Sequence, residues 1–387
     1  MRIVLIFYTD FVPFTSKGKS EELYYTLCSL KKNVKNVMVR GKKNEIDKFF
    51  PMMKIMVPPG RSIIPRFFVA IEKYVFSQFP SRLLGEMWFD FWVSKRLSKD
   101  GKFIYTVPRL TRTFEKAKEM GYKIICHSGE LHPDYNYKLV TEEYKKLGIK
   151  FRNPAWSKTM FKKYKKTLNL SDYIIVHSEY AKRNYVEYGI PENKIKVIPL
   201  GVDIDKFKNL KRKLYWKQPF TFLFVGNVSV IKGIRYLLEA WKKLDLKDAK
   251  LIIAGAIHKD GKEIIKKLSP LKNVELVGYV NVKEVFSKSD VFVFPSLSEN
   301  PGKVVFEAMA AGLPVIATEP AAHPVRDKID GFVIPIRNVN LIIDKMMYFY
   351  KNKEKTILMG ENAKQWIRNF SWDNYIIMLR SFMEKVS

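Results

Sequence analysis

Two carboxylates set around a helix start make the stretch 296–318, SLSENPGKVVFEAMAAGLPVIAT, the part of the chain best equipped for chemistry. It leaves an apolar strand (290–295) through the turn Ser298-Glu299-Asn300-Pro301-Gly302 and continues as a helix. Asn300 suits the N-cap, its side chain accepting a free backbone N–H, and Pro301 suits the first helical position. Gly302 leaves the helix N-terminus bare, so that backbone N–H groups and the positive end of the dipole can face an anion. Glu299 stands on the entering turn and Glu307 two helical turns along. One carboxylate can hold a polar group at the helix mouth and the other a diol farther in, with an anion between them. A sugar, a diphosphate and a ribose in line would fit. An isolated pair of glutamates would better suit a solvated surface helix; the residues that follow Glu307 decide against that.

Three other places carry reactive types. Phe224-Val225-Gly226-Asn227 ends a strand, and Lys232-Gly233 follows it; a glycine at a strand end and a lysine at a helix start put a fixed cation beside a phosphate. His127 follows the strand that ends at Cys126, in CHSGELHPDY. His127, Glu130, His132 and Asp134 raise a metal site, but no fixed helical spacing presents them together, and that reading is set aside. Gly18 lies in a loop after the first strand, followed by Lys19. No Gly-x4-Gly-Lys-Ser/Thr loop and no dinucleotide fingerprint occurs, so an NTPase or a dehydrogenase lacks its phosphate cradle.

The Glu-x7-Glu spacing of Glu299 and Glu307, followed by Ala308-Met309-Ala310 and Gly312-Leu313-Pro314-Val315, resembles the signature of retaining nucleotide-sugar glycosyltransferases of the GT-B fold, family 4 type (glycosyl transferases group 1). The resemblance implies an α/β fold, GT-B, with two Rossmann-like domains facing each other across a cleft. It implies that Glu299 contacts the donor sugar and Glu307 the ribose hydroxyls, while the amides at Gly302, Lys303 and Val304 meet the diphosphate. Lys232 would be the lysine of the family's diphosphate clamp. Asn227 stands where the family usually has an arginine, and Lys303 is the candidate for the second positive charge. His127 matches a histidine near the donor sugar, and Gly18 a loop that admits the donor phosphates. The run 176–203, ending Gly201-Val202-Asp203, is similar to the family's last first-domain unit. Asp203-Ile204-Asp205 spells the D-x-D that binds a divalent metal in other glycosyltransferases, but here it falls in the hinge, and no metal is expected. Phe370-Ser371-Trp372 resembles the start of the closing helix. The likeness is dense over 171–318 and thin before it, as expected if the first half binds an acceptor that the sequence does not name.

The chain has 387 residues, enough for two domains, and 47% hydrophobic and 14% aromatic content supports sizeable cores. Its two cysteines, Cys28 and Cys126, cannot make a disulfide framework and read as free thiols in a reducing compartment. No apolar run reaches the length of a membrane span, and the N-terminal apolar stretch stops at Asp10, so a cytoplasmic protein is expected. A formal charge of +30 attracts polyanions: nucleic acid, an anionic membrane face or phosphorylated substrates. The Lys-rich, Gln-poor composition also points towards a thermophilic source.

Positioning these residues requires two runs of alternating strand and helix. In the first half, strands are expected at 3–8, 36–40, 122–126, 173–176 and 194–198, with helices at 20–31 and 179–188. The rhythm breaks at 63–97, where two Trp- and Phe-rich helices flanked by Arg and Lys suit either the core or an interface with anionic lipid. The basic stretch 203–217 reads as a linker. Alternation resumes from 220, through strands at 220–225, 250–254, 274–276, 291–295, 314–317 and 332–335, and terminal helices fill 339–351, 353–369 and 372–386. Apolar strands in this rhythm imply parallel sheets covered on both faces. The expected domains are 1–205 (acceptor side), 206–218 (linker), 219–370 (nucleotide sugar) and a closing helix at 371–387. The expected function is retaining, metal-independent and cofactor-free transfer of a sugar from a UDP- or GDP-linked donor to a hydroxyl acceptor, plausibly a lipid-linked or cell-envelope glycan. An epimerase or other GT-B enzyme, or a basic nucleic-acid-binding protein on a degenerate nucleotide fold, is the alternative.

Overall fold

The computed structural model describes residues 3–7, 19–30, 34–39, 54–56, 81–98, 101–149, 158–210 and 219–386. Gly18, the helix expected from Pro65 and the linker residues 211–218 lie outside the described residues. The chain forms two compact units: residues 1–138, 150–199 and 373–387 in the first, and 139–149 and 200–372 in the second.

The first unit is built on a parallel sheet of strands β1 (Ile3–Phe7), β2 (Val34–Val39), β3 (Lys54–Met56), β4 (Phe103–Thr106), β5 (Lys123–His127), β6 (Tyr173–Val176) and β7 (Ile195–Val197), in the order β3-β2-β1-β4-β5-β6-β7. The chain adds strands to one side of β1 and then returns to add β4 to the other, which opens a switch point at the carboxyl ends of β1 and β4. Ile104, Ile124, Cys126, Ile174 and Val176 form one buried layer with Phe89, Trp92 and Val93 of helix Ser81–Ser94. Asp90 of that helix caps the next one, Thr111–Glu119, by accepting from the amides of Arg112 and Thr113 (2.9 Å each). β4 and the helices Thr111–Glu119, Pro133–Leu147 and Lys158–Leu170 were not legible in the sequence. In helix Thr111–Glu119 a charged face with Arg112, Lys116 and Lys118 masks a short apolar stripe of Phe114 and Ala117.

The second unit repeats the plan with β8 (Phe220–Val225), β9 (Ala249–Ala254), β10 (Val274–Gly278), β11 (Val291–Phe294), β12 (Val315–Thr318) and β13 (Gly331–Ile334), all parallel, in the order β10-β9-β8-β11-β12-β13. Its switch point lies between β8 and β11. Residues 139–149 belong here through polar contacts: buried Glu143 accepts from Tyr236 (2.7 Å) and from Arg337 Nε (2.7 Å), and Tyr144 donates to Asp260 (3.0 Å). Residues 203–208, expected as irregular linker, include the short helix Asp205–Lys208. The last helix, Trp372–Val386, packs in the first unit, where Tyr375 meets Thr26 (3.1 Å) and Phe382 lies edge-on to Tyr173.

His132 supplies a test of the first unit. Its ring is buried, stacked 4.9 Å from Tyr188, and its Nδ1 accepts from the Asp134 amide (3.2 Å). Burial pushes its pKa down from 6.5 to about 4, against the opposing pull of Asp134. The unfolded chain therefore takes up a proton below pH 6.5 that the folded chain refuses until about pH 4, so stability falls as the pH drops through that window. At about 1.4 kcal/mol per unit the loss over the whole window is on the order of 3–4 kcal/mol, and His132→Asn should remove it. Melting curves of the two proteins that stay at a constant separation from pH 7 to pH 4.5 would refute this account of the site.

Candidate functional site

The residues that could bind a charged ligand gather at the β8–β11 switch point of the second unit. β8 leads through Gly226 and Asn227 into a single 3-10 turn, Val230–Lys232, and then into helix Ile234–Leu244. Gly233 joins the two with φ +67°, and a Cβ there would lie 1.9 Å from the Pro295 carbonyl oxygen, so only glycine lets the loops after β8 and β11 touch. The Asp260 carboxylate accepts from the Val230 amide (2.9 Å) and fixes the turn that ends in Lys232.

The helix after β11 starts later than expected. It runs Lys303–Ala310 with Gly302 as the N-cap, while Asn300, buried, and Pro301 lie in the preceding turn. That turn is tied down elsewhere: the Leu297 amide donates to Ile231 O (2.9 Å), and the Thr318 hydroxyl to Ser296 O. The backbone is released into helix only at Gly302, where a Cβ would stand 2.7 Å from the Phe294 ring. A glycine N-cap has no side chain to cover the first amides, so the positive helix end is left for a ligand as the sequence implied, two residues farther along.

Both glutamates are held by lysines. Glu299 accepts from Lys232 Nζ and from Ser296 Oγ (2.9 Å). Glu307 lies 3.6 Å from Lys206 Nζ and 4.0 Å from Lys303 Nζ. The side chains of all five are between 13% and 27% exposed, so these charges interact through a medium less polar than bulk water. Three lysines against two carboxylates leave the cluster net positive at the bare helix end, which suits a diphosphate. Asn227 is exposed and Val304 half-buried at the same edge. Lys206 was missed, because it lies in a segment that reads as linker; its place just after Gly201-Val202-Asp203 was the available signal. Asp203 has a structural role, its carboxylate accepting from the Lys206 amide (3.1 Å). No group of three metal-ligating side chains occurs among the described residues.

His127 belongs to the first unit, at the carboxyl end of β5. It is 5% exposed, and both of its ring nitrogens are engaged there: Nδ1 with the Tyr105 hydroxyl and Nε2 with His177 Nε2 (2.9 Å). Glu130 and His132, grouped with it in the sequence, are turned to other partners: Glu130 pairs with Arg109 (2.7 Å), and the His132 ring accepts from the Asp134 amide (3.2 Å).

Two parallel sheets, each with a switch point, define the chain as a double α/β protein of the GT-B type. The Anabaena HepE structure in complex with UDP has this fold: it matches with a TM-score of 0.67 at 15% identity, covering 100% of this chain and 99% of that one. Among curated relatives, an uncharacterised glycosyltransferase of Methanocaldococcus jannaschii is 34% identical over 223 residues, 56% of this chain and 60% of that protein. The Escherichia coli UDP-Gal:alpha-D-GlcNAc-diphosphoundecaprenol alpha-1,3-galactosyltransferase is 29% identical over 219 residues, 51% of this chain and 55% of that protein. The matches thus span between half and two thirds of the length of either relative. The model of Glycosyltransferase Family 4 matches residues 74–206 and that of Glycosyl transferases group 1 residues 205–366. The chain belongs to the GT-B glycosyltransferases of family 4 type.

The geometry around Glu307 is testable by binding. Replacing a charged acceptor costs about 1.5–3 kcal/mol, so Glu307→Gln should weaken the binding of UDP or GDP, whichever the wild type prefers, by at least about tenfold. Calorimetry that returns an unchanged affinity would remove Glu307 from the nucleotide site.

Proposed function

We propose that this chain is a retaining, metal-independent glycosyltransferase that moves a sugar from a UDP- or GDP-linked donor to a hydroxyl acceptor. The observation that carries this reading is the lysine-held glutamate pair on either side of a bare helix N-terminus, at the switch point of the second unit. In this reading the donor diphosphate lies against Gly302, Lys303 and Val304, with Asn227 lining its approach, and it draws Lys232 away from Glu299. The exchange releases Glu299 to accept from sugar hydroxyls, while Glu307 turns from its lysines to the ribose diol. His127 faces the sugar. When the bond from the sugar to the diphosphate breaks, negative charge develops on the departing phosphate, and Lys232 and the helix amides oppose it without reorganising.

Loss of one preorganised group facing a developing oxyanion costs on the order of 2.7–4 kcal/mol, so Lys232→Ala should lower turnover about a hundredfold or more while the melting temperature changes little. Lys303→Ala should show a smaller defect of the same kind. A thermal-shift screen of UDP- and GDP-sugars, followed by a transfer assay on the best of them, supplies the donor. A chelator should leave turnover intact; activity that vanishes with EDTA and returns with manganese would end the metal-independent reading.

The acceptor proposed is lipid-linked, at an anionic membrane face. The E. coli relative's name carries a diphosphoundecaprenol acceptor. On helix Ser81–Ser94, Phe89, Trp92 and Val93 are core, whereas Met87 (39%) and Phe91 (46%) are exposed one turn apart, with Trp88 half-buried beside them. Lys95 and Arg112 stand 5.9 and 5.7 Å from the Phe91 ring. The same helix thus has a core side and an exposed side that carries an aromatic ring with cations beside it. No helix among the described residues is long and apolar enough to cross a membrane. Each surface cation adds about 1 kcal/mol near anionic headgroups. Cosedimentation with phosphatidylglycerol-containing vesicles should therefore be strong at low salt and weaker at high salt. Phe91→Ser should remove the salt-resistant part without lowering the melting temperature, and no binding at low salt would leave a soluble acceptor.

A further inference from the structure

A chain of buried hydrogen bonds crosses four adjacent strands at the carboxyl edge of the first unit's sheet. Tyr105, from β4, meets His127 Nδ1, from β5; His127 Nε2 meets His177 Nε2 (2.9 Å), one residue beyond β6; His177 Nδ1 meets the Ile198 carbonyl oxygen (2.8 Å), one residue beyond β7. Tyr105, His127 and His177 are 0%, 5% and 1% exposed. The rings of Tyr105 and His127 are edge-on at 5.6 Å, and the two imidazoles are tilted at 4.8 Å.

The last acceptor gives this chain a direction. A carbonyl oxygen can only accept, so His177 carries its proton on Nδ1. Neutral His177 then has an acceptor at Nε2, and His127 must donate to it from its own Nε2–H. That leaves His127 Nδ1 as an acceptor, which the Tyr105 hydroxyl satisfies by donating. Every bond follows from the Ile198 carbonyl, and neutral His127 is left one tautomer. The opposite tautomer would set two lone pairs against each other between the imidazoles, in a place with little water to repair the loss.

We propose that Tyr105 and His177 are positioning residues for His127, holding its ring at the sheet edge in the Nε2–H tautomer with Nδ1 presented as an acceptor. The consequence is a polarity for recognition: a ligand that reaches Nδ1 must bring a donor, such as a sugar hydroxyl, and takes the place of the Tyr105 hydroxyl. A ligand that offers only acceptors gains nothing there. The proposal rests on the reading of His127 as the residue that faces the donor sugar. His177, absent from the residues that pointed to that reading, becomes the group that decides what His127 can do.

The test uses the full-length protein with 15N-labelled histidine. The chain has five histidines, so single substitutions assign the signals. Long-range 1H–15N spectra of the ligand-free wild type should show His127 with a protonated Nε2 and an unprotonated Nδ1, and His177 with the reverse. His177→Gln keeps an acceptor oxygen for His127 Nε2–H and should preserve that signature. His177→Leu should abolish it, giving mixed tautomers or a proton on Nδ1. Tyr105→Phe, which keeps the ring, should shift the Nδ1 resonance of His127. Release of UDP from UDP-glucose, or from the donor found by the screen, is then measured in the same proteins. kcat/KM should fall about 10–100-fold in His177→Leu, the range seen when the partner that orients a metal-bound histidine is lost, and His177→Gln should recover most of it. A wild-type His127 protonated on Nδ1 overturns the proposal. So does normal turnover in His177→Leu beside an impaired His127→Ala, and in that case His127 keeps its place at the sugar. Normal turnover in His127→Ala removes the sugar-facing reading itself and the positioning role with it.

Discussion

The contact on which the second unit's site depends is the pair Lys232–Glu299. Its members come from the loops after β8 and β11, strands that are neighbours in the sheet although β9, β10 and their helices separate them in sequence. The reversal of strand order creates this adjacency and opens a crevice at the carboxyl ends of the two strands. At a separation of about 4 Å and an effective dielectric of about 20, two such charges attract by about 4 kcal/mol, and taking both partly out of water returns much of that. A pair with a small net free energy holds two side chains in place when nothing else is bound, yet yields to a ligand with more charge. A diphosphate is such a ligand for Lys232, and sugar hydroxyls can then satisfy Glu299. The ion pair is thus the resting form of the proposed donor site.

The same economy of charge explains why a chain with a formal charge of +30 does not simply repel itself at its most ordered places. Glu143, almost fully buried, collects a tyrosine hydroxyl and a guanidinium and so fixes residues 139–149 in the second unit. Arg109, with φ +88°, is held by Glu130 at 2.7 Å and Glu86 at 3.6 Å, and its guanidinium is driven well above its usual range, chiefly by Glu130. At these two places carboxylate and guanidinium neutralise each other where burial would otherwise leave one of them unpaired.

How much of this was legible in the sequence depended on the kind of signal. β8, β11 and β12 of the second unit are apolar runs buried on both faces, and those at 220–225 and 291–294 lie where their composition places them, with boundaries shifted by at most one residue. The glutamates, Lys232 and the bare glycine were visible because they lie in short local patterns. The helices Thr111–Glu119, Pro133–Leu147 and Lys158–Leu170 were not, since charged residues dominate their exposed faces and their buried stripes are only a few residues wide, and β4, buried throughout, is a run of only four residues. Asn300 was a sound N-cap by propensity alone; hydrogen bonds from Leu297 and Thr318, both dictated by the tertiary fold, moved the helix start to Gly302. Lys206 beside Glu307 and His177 beside His127 could not be found from spacing, because each pair is made by segments distant in sequence.

The substitution at Asn227 also takes on a physical meaning. An arginine at that place, as the resemblance implies for the family, would bring a planar fork able to bind two phosphate oxygens at once. Asparagine there is exposed and uncharged. In the proposed reading the missing charge is supplied by Lys303 and Lys206, which in the resting state both lean on Glu307. A lysine is a point charge on a flexible stem and can leave a carboxylate for a phosphate oxygen without keeping a fixed angle. The consequence is a coupling that an arginine at 227 would not impose. Glu307 can turn to a ribose only if its lysines turn elsewhere, and the diphosphate is the anion that draws Lys303 away. A nucleoside without its diphosphate would therefore meet a glutamate still held by two lysines, and would bind far more weakly than the lost phosphate contacts alone require.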